Sequence, residues 1–161
     1  QAMVERAKSY TAGDPSSMET RIGTVIDEAS AIHLEETIKK AVSDGARVLL
    51  GGGRQGALLE PTVIADVPRE TEMVCSESFG PLAPIMGIED IDDAIACANS
   101  TPYGLSSGVI TQHMGHALKA VRELRCGTIN INEVPGTGSN ALPLVASRIQ
   151  ASGSRKASLR P

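Results

Sequence analysis

Short aliphatic segments alternate with amphipathic helical segments along most of this 161-residue chain. Apolar side chains recur at helical spacing from Ala31 to Val42, between Asp27, a typical helix N-cap, and Gly45, a typical helix terminator. Five strands are predicted, at residues 48–50, 61–64, 82–88, 107–111 and 128–132. Strands that alternate with helices at this spacing predict an α/β fold, with a mostly parallel five-stranded sheet and flanking helices.

Three further helices complete the pattern. Residues 1–10 suit a short helix, and Asp90 is a candidate cap for a second helix, striped by small and apolar side chains from Ile91 to Ala98. In the third, the apolar face predicted to be buried consists of Met114, Ala117, Leu118, Val121 and Leu124.

Composition excludes several classes of protein. The chain is 41% hydrophobic, enough for one domain with an aliphatic core, but its aromatic residues are only Tyr10, Phe79 and Tyr103. A net charge of −4 and so few stacking rings argue against binding nucleic acid. Because no apolar run approaches membrane-spanning length, no membrane association is expected.

The three cysteines, Cys75, Cys97 and Cys126, form no C-x-x-C pair and are odd in number. They fit a reducing cytoplasm, with buried thiols as the favoured interpretation. Cys75 precedes a candidate loop, but no nearby cation or histidine would activate it as a nucleophile.

Two other motifs are weak. Residues 51–56 satisfy G-x-G-x-x-G, yet Pro61-Thr62-Val63 follows where a phosphate-binding loop needs a helix, so a flexible turn is predicted. His113 and His116 could share a helix face, but no further ligand stands at a recognisable spacing, so no metal site is expected.

The strongest functional signal is Glu77 with Phe79. A carboxylate can accept two hydrogen bonds from a ribose diol, and a ring two residues away would be within reach of a nicotinamide. Gly80 and Pro81 predict a rigid turn that holds both side chains at a strand start. From the residues alone, a binding loop and a plain surface loop remain open alternatives.

An ordered series of short motifs resembles the C-terminal part of the catalytic domain of the NAD(P)-dependent aldehyde dehydrogenase family. The resemblance covers residues 1–136 and is carried by Gly13-Asp14-Pro15, residues 45–52, residues 77–82, Tyr103-Gly104-Leu105 and residues 127–132. The Asn-Glu-Val-Pro-Gly run at 132–136 is most similar to the lactaldehyde or phosphonoacetaldehyde dehydrogenase branch.

The resemblance implies an oxidoreductase that converts a small aldehyde to a carboxylic acid. In such enzymes a cysteine thiolate attacks the aldehyde, hydride passes to NAD or NADP, and a glutamate-activated water releases the acid. Glu77 then matches the residue that binds the nicotinamide ribose, and Phe79 the residue beside the nicotinamide. Glu133 and Val134 border the substrate pocket, and Ser76 departs from the family's usual acidic residue.

The resemblance also implies what the chain lacks. The segments for the nucleophile, the general base and the dinucleotide-binding domain would lie upstream of Gln1. We therefore expect no catalytic residue, no bound cofactor, no activity of this polypeptide alone, and self-association through uncovered apolar surface. The alternatives are a stand-alone binding module that kept the fold, or a nucleic-acid or anion binder that uses the basic tail.

Residues 137–161 differ from the rest of the chain. They contain four basic and no acidic side chains and are serine-rich, which predicts a separate tail after a partial catalytic domain at 1–136. The family's P-F-G-G-x-K-x-S-G-x-G motif is missing there. A shifted reading frame can still encode it. From Leu142 onward, each shifted codon consists of the last base of one codon and the first two bases of the next. These shifted codons permit the amino-acid string PFGGIKDSGLGFQEGVAEA. This predicts a reading-frame slip near Gly136 or Thr137.

Overall fold

The computed structural model describes residues 1–135, so the predicted tail lies outside the described residues. Two compact units follow one another, residues 1–87 and the part from residue 88 onward. The helices are α1 (Ala2–Lys8), α2 (Glu28–Ser43), α3 (Glu72–Cys75), α4 (Ile91–Asn99) and α5 (Met114–Glu123). The strands are β1 (Arg47–Leu50), β2 (Arg54–Gln55), β3 (Leu58–Leu59), β4 (Thr62–Ala65), β5 (Leu82–Pro84), β6 (Ser106–Val109) and β7 (Thr128–Ile131).

Local side-chain chemistry sets the ends of the main helices. Asp27 Oδ1 accepts a 2.7 Å hydrogen bond from the Ser30 N–H at the start of α2, and Asp90 Oδ1 accepts a 2.8 Å bond from the Asp93 N–H at the start of α4. After α2, Gly45 adopts φ = 109°, a backbone conformation that favours glycine. These predicted helix boundaries are confirmed.

In the first unit, β4 is the central strand of a three-stranded sheet in the order β1-β4-β5. All four residues of β4 are buried. The parallel pairing is between β4 and β5, whereas β1 runs antiparallel to β4. The reason is the connection: β1 reaches β4 through the short β2–β3 hairpin, while the link from β4 to β5 includes α3.

In the second unit, β6 and β7 pair in parallel, from Ser106 opposite Thr128 to Val109 opposite Ile131. Helix α5 forms the crossover between them and contacts both α4 and β7. The α/β class is thus confirmed, and a strand forms at each of the five predicted places. Within residues 1–135, however, these strands belong to separate sheets, with the β2–β3 hairpin in addition, instead of one five-stranded sheet.

The core of the first unit packs α2 against the strands. Its buried members include Leu34 and Ile38 from α2, Leu59 from β3 and Ile64 from β4. Val42, at the end of the apolar series of α2, is 44% exposed. Within residues 1–135, no helix combines the length and apolarity needed to cross a membrane.

The predicted buried face of α5 is wrong in part. The small residues Ala117 and Ala120 are buried, whereas the larger Met114, Leu118 and Val121 are 73%, 50% and 51% exposed. Helix α5 therefore turns its alanines toward its neighbours and leaves a stripe of large apolar side chains uncovered.

Candidate functional site

An open cleft in the first unit lies between the N-terminal half of α2 and the segment that runs from α3 to Phe79. Its volume is about 470 Å³. The polar and aromatic side chains that line it include Asp27, Ser30, His33, Glu72, Glu77 and Phe79. The two residues that the sequence singled out most strongly therefore lie in one cleft.

Both of these side chains are presented to solvent. Phe79 is 71% exposed, and Glu77 is also exposed. An exposed ring can stack on a flat ligand, and a carboxylate in the same cleft can accept hydrogen bonds from two neighbouring hydroxyl groups. The cleft therefore offers an aromatic surface and an anionic acceptor to one ligand.

The loop that carries these residues is anchored at both ends. On its N-terminal side the Ser76 N–H donates a 2.8 Å hydrogen bond to the carbonyl of Glu72 in α3. On its C-terminal side the Thr62 N–H of buried β4 donates a 2.9 Å bond to the Pro81 carbonyl. Gly80 packs against Leu34 of α2. The predicted rigid turn thus rests on core residues of the first unit.

His33 is a further residue of the cleft, which the sequence did not connect with Glu77. Its side chain is exposed and lines the cleft, and His33 Nε2 lies 3.6 Å from Glu72 Oε1. Ser30, three residues earlier on the same helix face, lines the cleft as well. The only sequence signal for this pair is their helical spacing, which indicates a shared face without indicating what the face meets.

Hydrogen bonds shift the pKa values of several charged side chains on α2 and near it. The side-chain and backbone hydrogen bonds of Ser30 hold the pKa of the Asp27 carboxyl below its ordinary value. On the other side of α2, hydrogen bonds from Arg54 and then Lys39 lower the pKa of Glu35. The hydrogen bond with Glu35, and less so that with Glu28, raises the pKa of Arg54. Both carboxylates therefore favour the ionised form.

The predicted substrate-pocket residues belong to the second unit. Glu133 is exposed and Val134 is 63% exposed, just after β7. The preceding Asn132 adopts φ = 57°, and its Oδ1 accepts a 2.8 Å hydrogen bond from the Thr111 N–H. At Gly108 a side chain would collide with the Glu133 carbonyl and the Pro135 ring, so the segment packs closely over β6. These contacts fix the backbone that presents Glu133 and Val134.

The cysteines are free thiols. The prediction of burial is wrong for Cys75, which is exposed and whose Sγ lies 3.4 Å from the Arg69 carbonyl. Cys97 and Cys126 are half-buried, and burial raises the pKa of the Cys126 thiol. None of these positions has the geometry of an activated nucleophile in the part of the chain that the structure describes.

The other candidate motifs have structural explanations. Residues 51–56 lead into the β2–β3 hairpin, and β3 is followed by β4 instead of a helix. The rings of His113 and His116 are 5.0 Å apart at the start of α5. Among residues 1–135, no group of three ligating side chains is placed to hold a metal ion.

Comparisons with known proteins agree on one family. The model of the aldehyde dehydrogenase family matches residues 1–152. Lactaldehyde dehydrogenase from Methanococcus maripaludis is 36% identical over 141 residues, which are 88% of this chain and 30% of that protein. Benzaldehyde dehydrogenase (NAD⁺) from Pseudomonas putida is 35% identical over 150 residues, 93% of this chain and 31% of that protein.

Solved structures give the same result. Aldehyde dehydrogenase 21 from Physcomitrella patens, in complex with the reaction product succinate, superposes with a TM-score of 0.84 at 35% identity, over 91% of this chain and 31% of that one. Glyceraldehyde-3-phosphate dehydrogenase GapN from Methanocaldococcus jannaschii, complexed with NADP, gives 0.82 at 32% identity, over 91% and 32%. The chain thus spans about a third of the length of the proteins it matches.

Proposed function

The chain belongs to the aldehyde dehydrogenase family, and from that premise we propose that the cleft beside α2 receives the nicotinamide riboside part of NAD⁺ or NADP⁺. The observation that carries the proposal is that Glu77 and Phe79 line one open cleft on a loop anchored to the core. The related GapN was solved with NADP, and betaine aldehyde dehydrogenase from Staphylococcus aureus with NAD⁺.

In this proposal each side chain has one task. The Glu77 carboxylate accepts hydrogen bonds from the ribose hydroxyls, and the Phe79 ring packs beside the nicotinamide. The cofactor supplies a hydride acceptor for the aldehyde. Glu133 and Val134 border the space for the aldehyde, which we propose to be small, because lactaldehyde and sulfoacetaldehyde dehydrogenases are among the similar proteins.

The single phenylalanine makes the cofactor proposal directly testable. In protein labelled with 4-fluorophenylalanine, the ¹⁹F spectrum contains one resonance, that of Phe79. No cofactor is expected to stay bound to this polypeptide at ordinary concentrations, but nicotinamide mononucleotide in millimolar excess should occupy the cleft weakly and shift this resonance, whereas AMP should not. Glu77→Gln should weaken the response, and Glu70→Gln, a matched exposed carboxylate that does not line the cleft, should leave it unchanged. An unchanged resonance with nicotinamide mononucleotide would reject the cleft as the nicotinamide site.

We propose that the 161-residue polypeptide alone does not oxidise aldehydes, since it spans about a third of the length of the dehydrogenases it matches. Formation of NADH by the pure polypeptide, followed at 340 nm, would contradict this. A chimera in which residues 1–135 replace the matching segment of the M. maripaludis lactaldehyde dehydrogenase should be active. In that chimera, Glu77→Gln should raise KM for the cofactor more than KM for the aldehyde.

Two further proposals concern the polypeptide itself. We propose that it resides in the cytoplasm, consistent with free thiols at Cys75, Cys97 and Cys126, and that it self-associates through uncovered apolar side chains. The exposed stripe of Met114, Leu118 and Val121 on α5 supports self-association. Light scattering after size exclusion should give a mass above 16.8 kDa, and a monomer at micromolar concentration would refute it.

Residues 137–161 are proposed to be the product of a reading-frame slip near Gly136. The support is the permitted string in the neighbouring frame, which spells the motif implied by the family resemblance. Sequencing the DNA across Gly136 tests this, and codons that cannot spell that motif would end the idea. The binding-module alternative has no observation of its own in residues 1–135.

A further inference from the structure

Helix α2 has two functional sides that face in opposite directions. Ser30, His33 and Thr37 line the cleft. Glu28 and Glu35 are seven residues apart, two helical turns, and therefore lie along one line of the helix. At about 100° per residue, that line lies roughly half a turn around the helix from Ser30 and His33. A contact on Glu28 and Glu35 therefore acts on α2 from the side opposite the cleft wall.

One side chain holds both carboxylates. Arg54, at the start of the β2–β3 hairpin, places Nε 3.1 Å from Glu35 Oε2 and Nη1 3.2 Å from Glu28 Oε1. The same Nη1 donates a 3.0 Å hydrogen bond to the Gly56 carbonyl within the hairpin. The Arg54 side chain is only 21% exposed. A planar guanidinium has several N–H donors and can make these contacts at the same time. A lysine ammonium is a compact point charge and cannot reach all of these acceptors.

The hairpin that carries Arg54 is itself fixed. In the β2–β3 register Arg54 stands opposite Leu59, which is 0% exposed and packs in the same core cluster as Leu34. The hairpin therefore cannot slide along α2 without opening the core. Helix α2 is held from one side by Arg54 and meets the Glu77–Phe79 loop on another through Leu34 and Gly80.

We propose that Arg54 is a positioning residue for the cleft: by binding Glu28 and Glu35 together, it fixes α2 so that Ser30 and His33 keep their distance from the Glu77–Phe79 loop. The inference rests on the proposed function in taking the cleft as a nucleotide site. Its physical content, the placement of the cleft wall, is measurable without any ligand.

The test uses the full 161-residue chain, labelled with 4-fluorophenylalanine and ¹⁵N, without nucleotide. Arg54→Gln should shift or broaden the Phe79 ¹⁹F resonance and move the Ser30 and His33 amide signals. Arg54→Lys should give a smaller change of the same sign. The matched control is Arg47→Gln, which removes another arginine–carboxylate pair of the same unit, 2.7 Å to Asp66. Within residues 1–135, Arg47 makes no hydrogen bond or ion pair with α2.

The outcomes separate positioning from general stability. The proposal is overturned if the Phe79 ¹⁹F chemical shift is the same in Arg54→Gln, Arg47→Gln and the unmodified chain. This holds even if Arg54→Gln lowers the thermal stability. If Arg54→Gln does not fold, Glu28→Gln and Glu35→Gln each remove one of the two Arg54 ion pairs. Unchanged Phe79 signals in both variants also reject the proposal. A failure of nicotinamide mononucleotide to bind would reject the proposed function and leave this result intact.

Discussion

Gly80 and Leu34 interlock: a methyl group added to Gly80 would lie 2.5 Å from Leu34 Cδ1, a separation at which the packing must change. Leu34 is 4% exposed and belongs to the core of the first unit. The loop that carries Glu77 and Phe79 is therefore in direct contact with α2 through this pair.

Gly80→Ala should destabilise the first unit by about 1–3 kcal/mol, the usual cost of overpacking a core. Urea denaturation followed by circular dichroism measures the loss. The control is Gly115→Ala, because position 115 has no neighbour within 4 Å of an added methyl group. A second variant, Gly80→Ala with Leu34→Ala, should lose less stability than the sum of the single changes, since the methyl group then enters the space left by leucine. Additive losses would contradict the interlock.

The Asp27 cap should make stability depend on pH in the acid range. Hydrogen bonds with Ser30 lower the pKa of Asp27 in the folded chain, so its contribution is present above the ordinary value of 3.8 and is lost as pH falls through the lower folded value. The urea midpoint should therefore decrease from pH 5 to pH 3.

Asp27→Asn isolates that contribution, because asparagine caps a helix as well as aspartate but carries no charge. The variant should show a shallower decrease of the midpoint over the same pH range. Some dependence should remain, since hydrogen bonds with Ser16 lower the pKa of Asp14 in the same way. Identical slopes for the two proteins would show that the Asp27 charge is not linked to folding.

Asn99 joins α4 to the end of α5 in the second unit. Its Nδ2 donates a 2.9 Å hydrogen bond to the Glu123 carbonyl, and its Oδ1 accepts a 2.8 Å bond from the Arg125 N–H. Asn99→Ala removes both bonds and should cost about 1–3 kcal/mol. The neighbouring control, Ser100→Ala, removes only a local 2.7 Å bond to Cys97 and should cost less. Equal losses of stability in the two variants would argue against a stabilising link between α4 and α5 through Asn99.

Thiol labelling should distinguish the three cysteines. Cys75 is exposed, while Cys126 is half-buried and burial raises the pKa of its thiol. With iodoacetamide at pH 8, followed by peptide mass analysis, Cys75 should react first and Cys126 much later, because the thiolate is the reactive form. Cys75→Ser should abolish the fast phase. A fast reaction at Cys126 would contradict its described environment.

The elements governed by local chemistry were predictable. Asp27, Gly45 and Asp90 end or start helices through contacts within a few residues, and the structure has them there. Glu77 and Phe79, two residues apart in the same loop, were also singled out, because the family resemblance favoured a binding loop over the surface loop that the residues alone left open. The role of Glu77 in binding ribose, and the pocket role of Glu133 and Val134, remain predictions.

The missed features depend on contacts between distant parts of the chain. Helical periodicity indicated a buried face for α5 without showing that alanines, not the larger side chains, make the close contacts. The antiparallel direction of β1 was not predicted. It follows from the short β2–β3 hairpin that connects β1 to β4, and the sequence did not indicate that hairpin. His33 and Ser30 were missed because nothing near them in sequence indicates a cleft.

The sequence by itself determined the order of the main strands and helices, the helix ends at Asp27, Gly45 and Asp90, and the family, since these depend on short motifs and local hydrogen bonds. Tertiary structure alone decided which side of α2 faces Glu77 and which side Arg54 holds. The physical reason is that packing joins Leu34 to Gly80 and Arg54 to Glu28, pairs whose members are far apart along the chain. Their contacts depend on shape and distance, which residue order does not specify.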